Sequence, residues 1–107
     1  MSKQKPPKSE PSDALPASSQ RSPGFTTQFK ADLAWWFKTD FKKAAKILDL
    51  VTVVMQDPFH GVGKPEPLKY VEPNTWSRRI DLEHRLIYRI SETQIDFLAC
   101  RYHYEKG

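Results

Sequence analysis

Over most of the last third of the chain, apolar residues alternate with polar ones. Trp76-Ser77-Arg78-Arg79-Ile80, His84-Arg85-Leu86-Ile87-Tyr88-Arg89-Ile90 and residues 94–102 are rich in β-branched and aromatic types, which predicts three strands. The connectors, Asp81-Leu82-Glu83 and Ser91-Glu92-Thr93, are too short for a crossover helix, so the strands form an antiparallel meander. In the middle strand, period-two spacing puts Leu86, Tyr88 and Ile90 on one face and Arg85, Ile87 and Arg89 on the other. The first face suits packing against helices. The second sets cations among apolar side chains, and it is the candidate functional face.

Upstream, the period lengthens to that of a helix. Phe29, Leu33 and Trp36 recur at helical spacing within residues 27–37, with Lys30, Asp32 and Lys38 off that face. A second helix is expected over residues 41–56, capped by Thr39 or Asp40, with Phe41, Ala44, Leu48, Val51 and Met55 as its apolar stripe. Val51-Thr52-Val53-Val54 favours strand by propensity, yet the stripe continues through it, so it is assigned to the helix. Pro58 ends the helix. The short break between the two helices predicts a hairpin, and Trp35, Trp36 and Phe37 are assigned to the core. The fold class is α+β.

Residues 1–24 hold five of the nine prolines, with Lys3, Lys5, Lys8 and Arg21 against Glu10 and Asp13. So apolar-poor a segment cannot offset its conformational entropy and is expected to be a disordered extension. A single folded domain is expected over residues 25–104, and residues 105–107 are a short C-terminal extension. Residues 57–73 read as a loop. Its centre, Lys64-Pro65-Glu66-Pro67-Leu68-Lys69, holds a carboxylate between two prolines that stiffen the backbone.

Composition narrows the classes. A chain of 107 residues is one domain at most. With 17 Lys plus Arg against 13 Asp plus Glu, its moderate basic bias is compatible with a polyanionic partner. Cys100 is the single cysteine, which excludes an internal disulfide and suits a buried thiol. No apolar run reaches the roughly 18 residues of a membrane span, and the basic N-terminus lacks the apolar core of a secretory signal. A reducing, cytoplasmic location is expected.

Glu66, Lys69, Arg79, Arg85, Arg101, His103 and Tyr104 lie on the loop and the meander. They offer a carboxylate, an imidazole and several cations, with no metal-ligand spacing. That combination suits RNA cleavage through the substrate's own 2′-hydroxyl. The reaction needs a base for the 2′-OH, an acid for the leaving 5′-oxygen and cations for the charge that builds on phosphorus. Solvated surface charge accounts for the same residues taken singly.

Residues 57–69, Asp-Pro-Phe-His-Gly-Val-Gly-Lys-Pro-Glu-Pro-Leu-Lys, resemble the signature loop of the YoeB (Txe) toxins in the RelE/ParE superfamily. So do Trp76-Ser77-Arg78-Arg79-Ile80, Glu83-His84-Arg85-Leu86-Ile87-Tyr88 and Cys100-Arg101-Tyr102-His103-Tyr104, in family order and spacing. The resemblance implies a twisted antiparallel sheet with an N-terminal two-helix hairpin on one face. It also implies a ribosome-dependent mRNA endonuclease that needs no cofactor or metal. Glu66 falls on the general base, His103 on the general acid, Arg85 on the cation stabilising the transition state and Tyr104 on the tyrosine that orients the substrate. Lys64, Lys69 and Arg79 are expected to bind RNA. The implied partners are ribosome-bound mRNA, rRNA and an antitoxin of the YefM/Phd type, with DNA reached only through the antitoxin complex and no membrane.

Two departures from the family bear on activity. The family's first strand falls on Arg21-Ser22-Pro23-Gly24-Phe25, whose Pro and Gly are poor strand residues, so this strand is expected to be frayed or missing. The chain also continues past Tyr104. Both features suit an alternative: a weakened module that binds antitoxin or ribosome without cutting. A gyrase-directed toxin of the ParE branch would lack this acid–base set.

Overall fold

The computed structural model describes residues 21–102. The expected disordered extension, up to residue 20, and residues 103–107, which include His103 and Tyr104, lie outside the described residues. Strand β1 (Ser22–Phe25) leads into helices α1 (Thr27–Thr39) and α2 (Phe41–Gln56). Strands β2 (Glu66–Pro67), β3 (Thr75–Arg79), β4 (Arg85–Ile90) and β5 (Gln94–Ala99) follow. They form one sheet in the order β1-β5-β4-β3-β2. The expected meander is present as antiparallel β3, β4 and β5.

The sheet is mixed rather than purely antiparallel, because β1 forms and runs parallel to β5. Its poor strand residues are tolerated because β1 is an edge, where a proline forfeits no needed ladder bond. The Ser22 amide donates to the Thr93 carbonyl at 3.0 Å and the Thr26 amide to the Phe97 carbonyl at 3.1 Å. At Gly24 a Cβ would collide with the Asp96 and Gln94 side chains, which lie across the strand there. Phe25 stacks on Phe97, with ring centroids 5.4 Å apart.

The helix hairpin turns on one residue. Asp40 ends α1, its amide bonding the Trp36 carbonyl, and caps α2 by accepting from the Lys43 amide at 3.3 Å. The β-branched run 51–54 is helical, as expected. The α2 stripe is rotated from its expected position: Ala44, Ile47, Leu50 and Val54 are buried, while Phe41 and Leu48 are 67% and 45% exposed. Apolar residues lie on more than one face of α2, so spacing admits two stripes, and contact with the sheet selects one. Asp32 was placed off the buried face of α1, yet it is buried and accepts from the Cys100 amide at 3.0 Å. Phe37, assigned to the core, is 43% exposed.

The core lies between the helices and one sheet face. Phe29, Trp36, Ala44, Ile47, Leu50 and Val54 meet Ile80, Leu86, Tyr88, Ile90, Ile95 and Phe97. Leu86, Tyr88 and Ile90 take the helix side, as their alternation predicts. Cys100 joins this core just past the end of β5, and burial pushes its thiol up to about 12.

Arg78 also faces the helix side, where it is fully buried. Its Nε donates to the Tyr88 hydroxyl at 3.0 Å and its Nη1 to the Val62 carbonyl at 3.0 Å. Its Nη2 donates to the Asp57 and His60 carbonyls at 2.6 and 3.0 Å. Tyr88 completes the network by donating to the Pro58 carbonyl at 2.8 Å. One guanidinium thereby ties the sheet to the loop after α2. Arg78→Met removes the donors for four acceptors and should destabilise the protein by about 3 kcal/mol or more. Lysine cannot reproduce the planar fork, so Arg78→Lys should recover little of that loss. Urea denaturation of the three proteins checks both expectations; a wild-type midpoint for Arg78→Met would contradict them.

Candidate active site

The sheet face away from the helices carries the site. Residue 66 pairs with residue 77 across β2 and β3, so Glu66 and Ser77 share that face. Ser77 pairs in turn with Ile87 on β4, and Arg79 pairs with Arg85. Glu66, Ser77, Arg79 and Arg85 therefore gather at one end of three adjacent strands. This includes a direct Arg–Arg pairing, which by itself opposes folding.

The approach to Glu66 was expected to be loop throughout, but Glu66 and Pro67 form a short strand on β3. Gly61 and Gly63 occupy left-handed backbone, with φ of 128° and 86°, ahead of it. A Cβ on Gly63 would press on Arg78 and on the Arg79 backbone, and the Gly63 carbonyl accepts from the Arg79 amide at 2.7 Å. Lys64 is also left-handed, with φ of 54°. The loop is thus pinned to β3 immediately before the carboxylate.

Lys64, Pro65, Glu66 and Arg79 line an open cleft of about 340 Å³. Arg85 Nη1 lies 3.6 Å from Glu66 Oε1 and donates to Ser77 Oγ at 3.4 Å. The Arg85 Nε is buried with no hydrogen-bond partner among the described residues. The Arg85 amide donates to the Tyr102 carbonyl at 3.1 Å. Residue 102, directly before His103, is thereby tied to the strand that carries Arg85.

The expected residues divide on this geometry. Glu66, Lys64, Arg79 and Arg85 come together. Lys69 is exposed in the turn after β2 and is not part of the cleft wall. Arg101 is drawn toward α1: its guanidinium lies 3.7 Å from the centre of the Trp35 ring, and Nη2 donates to the Tyr102 hydroxyl at 2.9 Å. His84 is buried, edge-on to Trp36 at 4.8 Å, with Nδ1 3.2 Å from Asp81. Ser77 and Arg78 received no role from the sequence. The signal for Arg78 was available, since alternation from Trp76 through Ile80 turns it inward.

An exposed carboxylate beside several cations, on an open surface, suits an anionic substrate with a proton to lose. Among the described residues, no group of three or more His, Cys, Asp and Glu is placed to hold a metal, and no helix is long and apolar enough to cross a membrane.

The sequence model described as the YoeB-like toxin of bacterial type II toxin-antitoxin systems matches residues 25–104. The chain belongs to this family. Toxin RelK of Mycobacterium tuberculosis is 44% identical over 84 residues, covering 78% of this chain and 99% of its own. Toxin YoeB of Escherichia coli K12 is 45% identical over 73 residues, covering 68% and 87%. Among solved structures, a YoeB/ParE toxin from Agrobacterium tumefaciens has a TM-score of 0.72 at 40% identity, covering 78% of this chain and 99% of that one. A YoeB–YefM complex from Staphylococcus aureus has a TM-score of 0.68 at 32% identity, covering 80% and 100%.

In this YoeB-like toxin the β3–β4 turn that spaces Arg79 from Arg85 is built on Asp81. Its carboxylate accepts from the Glu83 and His84 amides at 2.8 and 2.6 Å and from Lys43 Nζ on α2 at 2.8 Å. Burial alone would push the Asp81 carboxyl up. The bonds from Lys43, the His84 and Glu83 amides and the His84 ring outweigh it and hold the group well below the usual carboxylate range. A depressed carboxyl contributes stability that is complete above its unfolded value, 3.8, and is lost as the pH falls below it. Asp81→Asn should therefore be less stable than wild type at neutral pH, and the gap should narrow as the pH drops below about 4. Denaturation midpoints of both proteins from pH 7 to pH 2.5 measure this; a gap that stays constant with pH would contradict it.

Proposed function

We propose that this toxin is a metal-independent mRNA endoribonuclease that acts on the translating ribosome and so inhibits translation. The observation that carries the reading is the Glu66 carboxylate lining an open cleft with Lys64 and Arg79, and the Arg85 guanidinium 3.6 Å from that carboxylate on the same sheet face. Glu66 takes the proton of the 2′-hydroxyl, and the 2′-oxygen attacks the adjacent phosphorus. Arg85 stabilises the negative charge that accumulates on the non-bridging oxygens. His103 gives a proton to the departing 5′-oxygen, and Tyr104 orients the substrate. The products are a 2′,3′-cyclic phosphate, or the 3′-phosphate it hydrolyses to, and a 5′-hydroxyl end. Lys64, Lys69 and Arg79 hold the RNA, Lys69 from the neighbouring turn.

The nucleophile belongs to the substrate, so the protein needs only an acid, a base and positive charge. Much of the affinity for ribosomal RNA rests on cations, so binding weakens as salt rises. The likeness to the Staphylococcus aureus YoeB–YefM complex supports an antitoxin of the YefM/Phd type as this chain's partner in the cytoplasm, and the basic cleft is the surface proposed for it to cover. With β1 formed, the first strand no longer supports a non-cutting module.

Glu66→Gln and His103→Ala should each slow cleavage of ribosome-bound mRNA by about 10²–10⁴ and abolish growth arrest on induction. Primer extension on a translated message reads the cuts, and thermal melts confirm that each variant is folded. Undiminished cleavage by both variants would overturn the assigned roles.

A further inference from the structure

Arg85 and Glu66 are not closed on each other. A formed guanidinium–carboxylate bond is about 2.7–2.9 Å long; here the gap is 3.6 Å, and the Glu66 side chain is 59% exposed. The Arg85 side chain is 19% exposed, and its buried Nε has no partner among the described residues. An arginine so lightly tied, beside a carboxylate it contacts only at 3.6 Å, has an evident alternative: to close on it and neutralise it. That closed pair would occupy the carboxylate lone pairs that must accept a proton, and the donors that must face a phosphate.

Ser77 stands at the junction. It is buried and lies directly opposite Glu66 in the β2–β3 ladder. It is also the diagonal neighbour of Arg85, which pairs with Arg79 two residues further along β3. Its Oγ accepts a long hydrogen bond, 3.4 Å, from the same Arg85 Nη1 that faces Glu66. The backbone ladder fixes the Ser77 Cβ, burial limits its hydroxyl to a few rotamers about one torsion, and a serine side chain is too short to follow a moving guanidinium.

We infer that Ser77 is a positioning residue for the cleavage, its hydroxyl holding the Arg85 guanidinium off the Glu66 carboxylate and toward the space a phosphate would fill. The inference rests on the nuclease reading above and adds to it a residue that touches neither the substrate nor a transferred proton.

The test is single-turnover cleavage of ribosome-bound mRNA by the full chain, comparing wild type, Ser77→Ala, Arg85→Ala and the double variant. Ser77→Ala should slow the cleavage step about threefold to tenfold, the effect of one long hydrogen bond. The half-saturating ribosome concentration should stay unchanged, because a loss confined to the cleavage step leaves binding intact. The double variant should be no slower than Arg85→Ala, because a hydroxyl that acts only through Arg85 has nothing to act on once Arg85 is gone. The Ser77→Ala melting temperature should match wild type.

Wild-type cleavage by Ser77→Ala, with Arg85→Ala impaired, overturns the inference and leaves the nuclease reading standing. Additive losses in the double variant overturn it too, as does a rate loss matched by a fall in melting temperature. Absence of cleavage by the wild-type protein overturns both.

Discussion

A buried guanidinium that lacks a carboxylate partner among the described residues organises this fold. Burying a charge is costly unless its hydrogen bonds are met, and Arg78 meets them with three loop carbonyls and the Tyr88 hydroxyl. The desolvation cost is spread over dipoles that the loop itself supplies. The carbonyls come from Asp57, His60 and Val62, so binding them curls residues 57–62 onto the sheet. Gly61 and Gly63 then take the positive φ values this curl demands. The chain that follows has little freedom left when it reaches Glu66. Arg78 lies on the opposite face of β3 from the cleft, yet it fixes where the cleft's carboxylate begins.

The other face of the sheet holds the opposite kind of arrangement. Arg79 pairs with Arg85, and the nearby carboxylate is largely exposed and unclosed. An open pair of this kind, with its carboxylate largely in solvent, contributes about 0–1 kcal/mol. Stability does not explain the cluster, whose paired arginines oppose folding at their own strand end. Unused donors and adjacent like charges are what an anion would complete. One strand thus carries a satisfied arginine on its inner face and unsatisfied chemistry on its outer face, and the period of two keeps them apart.

Much of this was legible in advance, and the failures have definite causes. The meander followed from alternation and three-residue connectors, which leave little room for other topologies. The helix hairpin followed from spacing, but the α2 face did not, because Ile47, Leu48, Leu50 and Val51 allow two stripes and only the sheet chooses between them. Strand β1 was misjudged because propensity treats Pro23 and Gly24 as if they sat in a central strand; at an edge the missing amide costs little. Asp32 was read as solvent-facing because its partner, the Cys100 amide, is 68 residues away and invisible to local pattern. At the site, residue chemistry picked out Glu66, Arg79 and Arg85, while Arg101 looked equivalent on charge. Its stacking on the Trp35 ring and its bond to the Tyr102 hydroxyl draw it aside, and the Trp35 contact joins distant parts of the chain.

These long-range contacts bear on how the site is assembled. Asp32 accepts from the Cys100 amide, Trp36 Nε1 donates to the Cys100 carbonyl at 2.6 Å, and Trp35 stacks on Arg101. Helix α1 therefore grips the segment after β5 at three consecutive points of contact, and Arg85 takes the Tyr102 carbonyl from the other side. The loop that carries Glu66 is held by β3, the cations sit on β3 and β4, and the segment leading to residue 103 is held by the first helix. No single supersecondary unit contains the cleft and its approach. The Glu66 carboxylate, the cations and the segment that precedes His103 come into register only when the first helix and the end of the last strand have met, so the arrangement on which the proposed cleavage rests is a property of the completed domain rather than of any fragment of it.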